Sequence, residues 1–377
     1  VVGRVGKGTA GFAASALAIS IGLALSSNAM ANVDTDVASG VLRIADTVTH
    51  TNSIRMGTGT TLDDANKHFN SISIGTDASV GAPSSIALGS STKTYTNDSI
   101  AIGTLSEAGG PAVNAALLGT KAIAIGYQTK ALGTSNVALG YGSVAENGHD
   151  SIAIGIKAKT SNIKSIAIGA YSEASGAQST VISDNYGSAT GAVSTASGTR
   201  SQVYGAETNV SGNNSVSIGD TNTVASNRTY AMGNNINVAA GADDSLVFGT
   251  KANVSAANAI AMGSSAKART DKSLALGENA LAGDPTAPTV KKGEYSTAIG
   301  SSTSALGYGA TAVGSITKAK VNYATALGHE AEASGAGETS LGYGAGANST
   351  SPNGNRNGVN VGTNAGRYAI SGGNSVA

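Results

Sequence analysis

The amino-acid sequence predicts an all-β solenoid built from coils of about 14 residues. A short block, Ser165-Ile166-Ala167-Ile168-Gly169, returns along most of the 377 residues, as in Asp98-Ser99-Ile100-Ala101-Ile102-Gly103 and Ala259-Ile260-Ala261-Met262-Gly263. The glycines that close successive blocks fall at a near-constant interval: Gly75, Gly89, Gly103, then Gly126, Gly140, and later Gly205, Gly219, Gly233, Gly249, Gly263, Gly277. Composition is the third observation: 52 glycines, 4% aromatic residues and no Trp, yet 40% hydrophobic residues. A fixed period means one unit stacked many times, and 14 residues suit two short strands with two tight turns rather than a helical hairpin. So few large side chains would leave a thick layered core short of buried area, whereas a narrow core remains possible. Apolar residues held in register argue for burial over disorder.

The first 31 residues come before the repeats. Arg4 and Lys7 precede an apolar run from about Gly11 to Leu25, and Ala29-Met30-Ala31 supplies small residues, the order of a secretory signal peptide cleaved after Ala31. A membrane anchor is the alternative, but a span needs ~20 apolar residues. Residues 32–70 have weak periodicity and are expected to cap the first coil's open edge. Residues 71–347 carry the repeats, and residues 348–377 carry degenerate ones, ending on Asn374-Ser375-Val376-Ala377, which reads as the start of another block cut short.

Alternation within the block assigns its side chains, because successive residues on a strand face opposite sides. The large apolar positions are expected to line the coil interior: Ile102, Ile125, Ile154, Ile166, Ile168, Ile218 and Met262. Between them lies a column of small residues, Ala87, Ala101, Ala124, Ala138, Ala153, Ala167, Ala261, Ala275, Ala298, Ala312 and Ala326. This column is expected to face outward and to meet a neighbouring chain, since a strand face open to water usually carries polar residues. A second, more polar strand follows each glycine; in Ala170-Tyr171-Ser172-Glu173-Ala174-Ser175-Gly176, Ser172 and Ala174 should point inward and Tyr171, Glu173 and Ser175 outward. With ~4.7 Å between stacked strands, the repeats predict a rod on the order of 85 Å long.

The series is interrupted near residues 104–122, 184–201 and 282–295. The last interruption holds Pro285 and Pro288 and cannot be regular strand. Its Lys291, Lys292 and Tyr295 are candidate ligand contacts on a projecting loop, although tolerated insertion is the commoner explanation of such a loop.

These blocks resemble the head repeats of trimeric autotransporter adhesins, whose prototype is the YadA head. Asn70-Ser71-Ile72-Ser73-Ile74-Gly75 and Asn214-Ser215-Val216-Ser217-Ile218-Gly219 are similar to that family's Asn-Ser-Val-Ala-Ile-Gly consensus, and the resemblance covers roughly residues 53–377. The resemblance implies a left-handed parallel β-roll in each of three chains, with the alanine column at the subunit contact. It also implies a place on the outer surface of a Gram-negative bacterium, a role in virulence, and adhesion to host matrix proteins such as collagen, fibronectin or laminin, to host cell receptors, or to other copies. Asn70, Ser71, Asn214 and Ser215 are ligand-binding candidates on this ground. Many blocks depart from the motif, beginning Asp150-Ser151 or Lys164-Ser165. The stalk heptads and membrane β-barrel of the family are not seen in these residues.

Other chemistry finds little support. Gly140-Tyr141-Gly142, Gly307-Tyr308-Gly309 and Gly342-Tyr343-Gly344 mimic part of a dinucleotide fingerprint, but no amphipathic helix follows and they read as turns. His50, His68, His149 and His329 occur singly, and no nucleophile elbow supports a Ser/His/Asp triad. No cofactor, metal or catalytic site is expected. With no cysteine there is neither disulfide nor thiolate site, and 23 basic against 23 acidic residues give no basic surface for nucleic acid. An adhesin head is the expected function, with a structural spacer or a self-associating biofilm element as alternatives.

Overall fold

The computed structural model describes the backbone of residues 33–35 and 42–44 and, in full, residues 53–62, 70–110, 120–183, 193–284, 293–348, 357–368 and 376–377. The expected signal segment, most of the expected cap, and Lys291 and Lys292 lie outside the described residues. Every regular element among the described residues is a β-strand. The chain divides into two compact units, residues 1–164 and 165–377.

In the first unit an antiparallel pair, Val33–Thr35 with Leu42–Ile44, precedes the coils. Each coil then contributes a first strand of three residues and a second strand of two. First strands run from Ile54–Met56 through Ile72–Ile74, Ile86–Leu88, Ile100–Ile102, Ile123–Ile125 and Val137–Leu139 to Ile152–Ile154, all parallel. Second strands run from Thr61–Leu62 to Lys159–Thr160, also parallel. The register stacks like on like: Ala87 on Ala101, Ala101 on Ala124, Ala124 on Ala138, Ala138 on Ala153.

The second unit repeats this plan from Ile166–Ile168 to Val359–Val361 on the first-strand side and from Ser172–Ala174 to Glu332–Ala333 on the second. Here Ala261 stacks on Ala275, Ala275 on Ala298, Ala298 on Ala312 and Ala312 on Ala326. The fold is therefore the parallel β-solenoid of 14-residue coils that the glycine spacing predicts.

The interior reverses the expected assignment of the first strand. Every alanine of the column, from Ala87 to Ala326, is 0% exposed within its own coil. Ile102, Ile125, Ile154, Ile166, Ile168 and Met262 are half-exposed, and Ile218 is 38% exposed. The small residues thus form the core of the roll and the large ones its outer face. The reason is width. The second strand also turns small residues inward, such as Ala108, Ala131, Ala145, Ser172 and Ala174, all 0% exposed, so two small-residue walls stand close together. An Ile between them would be overpacked.

Hydroxyls occupy the remaining inward positions and satisfy the carbonyls at the corners. Thr92, Thr129, Thr208 and Thr303 donate from Oγ1 to the carbonyls of Gly103, Gly140, Gly219 and Gly314, the glycine of the next coil in each case, at 2.8, 2.6, 2.8 and 2.6 Å. Ser85, Ser151 and Ser215 donate to the carbonyls of Thr96, Asn162 and Ser226 at 2.9, 2.7 and 2.8 Å. A buried polar atom left unpaired would cost its full desolvation, so this pairing makes a hydroxyl-rich core tolerable.

The closing glycines are required by the stacking. Gly263 has φ of 134°, and a Cβ there would fall on the backbone of Gly277 in the next coil. The insertions leave from corners. The segment 111–119 departs after the second strand Glu107–Ala108, which still pairs with Lys93–Thr94 and Lys130–Ala131. The segment 285–292 likewise departs after Leu281–Ala282, whereas 184–192 departs after the first strand Thr180–Ile182.

Candidate interaction surfaces

Turning the large residues outward gives each unit an apolar face two side chains wide. In the first unit it carries Ile72 and Ile74, Ile86 and Leu88, Ile100 and Ile102, Ile123 and Ile125, Val137 and Leu139, Ile152 and Ile154. In the second unit Tyr230 is 59% exposed, Phe248 48%, Met232 45% and Leu246 41%. Together with Val216 and Ile218 these residues line a shallow apolar cavity of about 180 Å³. No outward first-strand position in either unit holds a charged side chain among the described residues. The outward pairs are large and uncharged over seven coils of the first unit, from Ile54 to Ile154, and over five of the second, from Val216 to Leu276, while Thr180, Gln202, Thr297, Thr311, Thr325 and Thr339 occupy one position of the pair in other coils. Apolar patches larger than about 300–600 Å² mark interaction sites.

The predicted Asn-Ser ligand contacts separate into two structural roles. Ser71 and Ser215 are 0% exposed and point into the roll, so neither can touch a ligand. Asn70 and Asn214 are exposed at a corner, with φ of 57° and 54°. Each coil needs a left-handed residue there, and Asn enters that region more readily than most. Asp98, Lys164 and Arg228 take the same position with φ of 56°, 52° and 51°, which explains why the motif can drift without loss of fold.

Side-chain ladders reinforce some corners. Asn213 Oδ1 accepts from the Thr199 N–H at 2.8 Å, Asn227 Oδ1 from Asn213 at 2.9 Å, and Asp243 Oδ1 from Asn227 at 2.9 Å. The hydrogen bonds from the Asn227 backbone and side chain hold the Asp243 carboxyl below its ordinary range, with Arg228 adding to the effect. Arg228 also grips Asp244 through Nε at 2.5 Å and Nη2 at 2.7 Å, which lowers the Asp244 carboxyl in turn.

The YadA head domain repeat matches this sequence at nine places: residues 69–92, 81–106, 118–146, 147–172, 161–182, 240–266, 255–280, 292–315 and 322–345. Together these matches cover more than half of the chain. The chain belongs to the YadA head family. No curated protein matches it at a significant level.

The family assignment divides the YadA-type head informatively. Residues 183–239 fall outside every match, and they include Gln202, Tyr204, Tyr230 and Met232, where matched coils carry mostly Ile, Val, Leu or Thr. Tyrosines also form small ladders that the sequence reading missed. Tyr127 and Tyr141 stack at 5.4 Å between ring centroids, His329 and Tyr343 at 5.5 Å, and Tyr308 packs edge-on against both Tyr295 and Tyr323 at 5.5 and 5.6 Å. The signal was the 14-residue spacing of Tyr127 and Tyr141, and of His329 and Tyr343. Tyr295, a predicted ligand contact, is 46% exposed; its hydroxyl accepts from Lys272 Nζ at 2.8 Å, which raises the Lys272 ammonium pKa. The fingerprint-like glycines Gly142, Gly309 and Gly344 have φ of 61°, 62° and 62° and are corner residues, as their reading as turns anticipates.

Two buried carboxylates, Glu332 and Glu338, mark the C-terminal coils of the head. Glu338, 2% exposed, stands where most other coils place Ser or Ala. It accepts from the backbone of Ser334 at 2.9 Å and Gly335 at 2.6 Å and from Asn360 Nδ2 at 2.7 Å, joining its coil to Val359–Val361. No group of three or more His, Cys, Asp or Glu converges as metal ligands among the described residues. His149 does meet Asp150 at 2.8 Å, on the surface.

Proposed function

We propose that the chain is the head of a bacterial surface adhesin whose copies associate side by side through the outward Ile, Val and Leu columns, leaving second strands, corners and loops to meet host proteins. The observation that carries this reading is the uncharged apolar face, with large side chains up to 59% exposed, on a chain of a YadA-type family. Burying that face excludes water from one or two apolar side chains per coil, and the hydrophobic gain accumulates with coil number. Three copies are the assembly that the family resemblance suggests. The contact is assigned to the large residues, not to the alanines inside the roll.

Host contact would then fall on the polar surface, where many weak repeated contacts gain strength from avidity. Collagen, fibronectin, laminin and cell-surface receptors are the candidate partners, and the Gram-negative cell surface is the proposed location. Sedimentation of the purified chain tests the assembly: a discrete trimer is expected, and a stable monomer overturns it. Binding to immobilised collagen, fibronectin, laminin and epithelial receptors tests the adhesin. Saturable binding to any of them supports it, and absence from all of them leaves the spacer as the better reading.

A further inference from the structure

We infer that the coils from Gln202 to Phe248 set the axial register in which copies of this chain pack against one another. The inference rests on the self-association proposed above and concerns how that association chooses one alignment among many. Its difficulty follows from repetition. In the first unit the outward pairs are almost interchangeable, from Ile72 and Ile74 to Ile152 and Ile154, so sliding one copy past another by one coil, ~4.7 Å, replaces Ile-on-Ile contacts with more of the same. An interface of identical units specifies its register weakly.

The second unit breaks the repetition within four successive coils. Its outward pairs there are Gln202 and Tyr204, Val216 and Ile218, Tyr230 and Met232, and Leu246 and Phe248. Gln202 and Tyr204 are both polar, whereas the other coils of this face present at most one polar side chain, a Thr or Tyr, with the Tyr204 hydroxyl donating to Gln202 Oε1 at 3.3 Å. In register, three such pairs meet each other and can share hydrogen bonds. Slipped by one coil towards the C-terminus, Gln202 is pressed against Val216 and Ile218 and its amide loses water with no partner; slipped the other way it meets Thr180 and Ile182, where one hydroxyl stands in for the amide and phenol of its own pair. A single polar residue in an apolar seam fixes coiled-coil register by this mechanism.

Bulk adds a second restraint. Tyr230, Met232, Leu246 and Phe248 project further than the neighbouring Val216 and Ile218, and the apolar cavity lies among them. Matching that relief against a copy shifted by one coil sets large residues on large ones and leaves voids elsewhere, which close packing penalises.

The occupant of the face is a second copy of this chain. The aromatic side chains of this face, Tyr204, Tyr230 and Phe248, offer roughly 150–250 Å² each. At the observed exposures, the dozen coils of the second unit present on the order of 1,000 Å², near the ~800 Å² per partner of a stable interface. The face carries no charge to attract a partner of opposite sign, and two apolar columns in one register are complementary to themselves.

The absence of cysteine makes the test direct. Chains carrying Ile260→Cys and chains carrying Thr297→Cys are co-expressed and oxidised. These positions lie two coils apart, through Leu274, and ~9.5 Å of axial offset is beyond the ~7 Å reach of a disulfide, so heterodisulfides report slippage. The native face is expected to give a single sedimenting species and essentially no heterodisulfide. Replacing Gln202, Tyr204, Tyr230, Met232, Leu246 and Phe248 by Ile is expected to keep assembly but give a broad sedimentation profile and a several-fold rise in heterodisulfide. A six-residue variant that assembles as one species without heterodisulfide overturns the register assignment. If circular dichroism shows that variant unfolded, Gln202→Ile/Tyr204→Ile alone carries the same test, with the same two outcomes. A native chain that stays monomeric overturns instead the self-association on which the inference rests.

Discussion

The coils from Val203 to Val254 and those from Ala261 to Ala333 share one backbone plan and fill it differently. In the first group the inward residues include Val203, Val210, Val224, Val238, Val247 and Val254, with Ile236, all 0–1% exposed. In the second they are Ala261, Ala268, Ala275, Ala282, Ala298, Ala305, Ala312, Ala319, Ala326 and Ala333, each 0% exposed. The strand ladders run through the junction without a break, Val247 pairing with Ala261 and Val254 with Ala268. The roll therefore tolerates a change in core width that its hydrogen-bond register does not record. Larger inner and outer residues occur in the same stretch but not always in the same strand, since Tyr230 and Met232 flank the small, buried Ala231.

The strongest way to break this comparison is to exchange inside for outside. Ala261→Arg buries an unpaired charge and is expected to lose more than about 4 kcal/mol, enough to abolish the cooperative melt followed by circular dichroism. Met262→Arg, one residue away and half-exposed, should leave the chain's strand content intact while sedimentation shows loss of assembly. If the two variants behave alike, the assignment of faces is wrong.

Gly263→Ala tests whether stacking or width limits a coil. Its left-handed φ costs roughly 1–3 kcal/mol and the contact with Gly277 adds to it, so it should destabilise more than any alanine change at an exposed site. Core width itself is sharpened by opposite exchanges. Val224→Ala and Val238→Ala should each cost roughly 2 kcal/mol through lost burial and a residual cavity. Ala268→Val should also destabilise, by about 1–3 kcal/mol, because its coil has no room. A stabilising Ala268→Val would mean that the alanine coils are underfilled.

Smaller effects fall on the corners. Asn214→Ala should cost about 1 kcal/mol from its left-handed conformation, while Asn214→Gly should be near neutral and neither should alter adhesion. The least effect comes from acid. Burial opposes ionisation of Glu332, but hydrogen bonds from Lys320 and Ser334 prevail and hold its carboxyl below the ordinary range. A lowered folded-state pKa stabilises above the unfolded value and is lost as pH falls through the folded one. The melting temperature should accordingly drop on acidification below about pH 4.5, and Glu332→Gln should flatten that part of the profile.

Period and strand placement were legible in the sequence, because glycine spacing and alternation state them directly, but the interruptions were drawn too wide: Glu107–Ala108 and Ser194–Ala196 are regular second strands. The face assignment was not. Alternation says only that Ile166 and Ile168 share a side and Ala167 takes the other, and the habit of placing large apolar residues inside chose wrongly. The deciding clue was present in the second strand: Ser172 and Ala174 were read as inward, and a wall of such small residues leaves no depth for Ile opposite. Likewise Asn214 invites a binding role through its match to the family motif, whereas the left-handed corner it occupies accounts for an Asn there. The polar pair at Gln202 and Tyr204 was visible as residues, but its meaning depended on knowing that both point out of the roll.

The hydroxyl bonds from Thr92, Thr129, Thr208 and Thr303 each join one coil to the next. When such a unit is pulled from its two ends, these bonds and the strand ladders are loaded one coil after another, as in a zip, instead of all at once. Each 14-residue coil that lets go lengthens the chain by roughly 45–50 Å at full extension. An attached cell under intermittent drag would thus be held by an extensible tether that yields in small steps and can rewind coil by coil when the load falls.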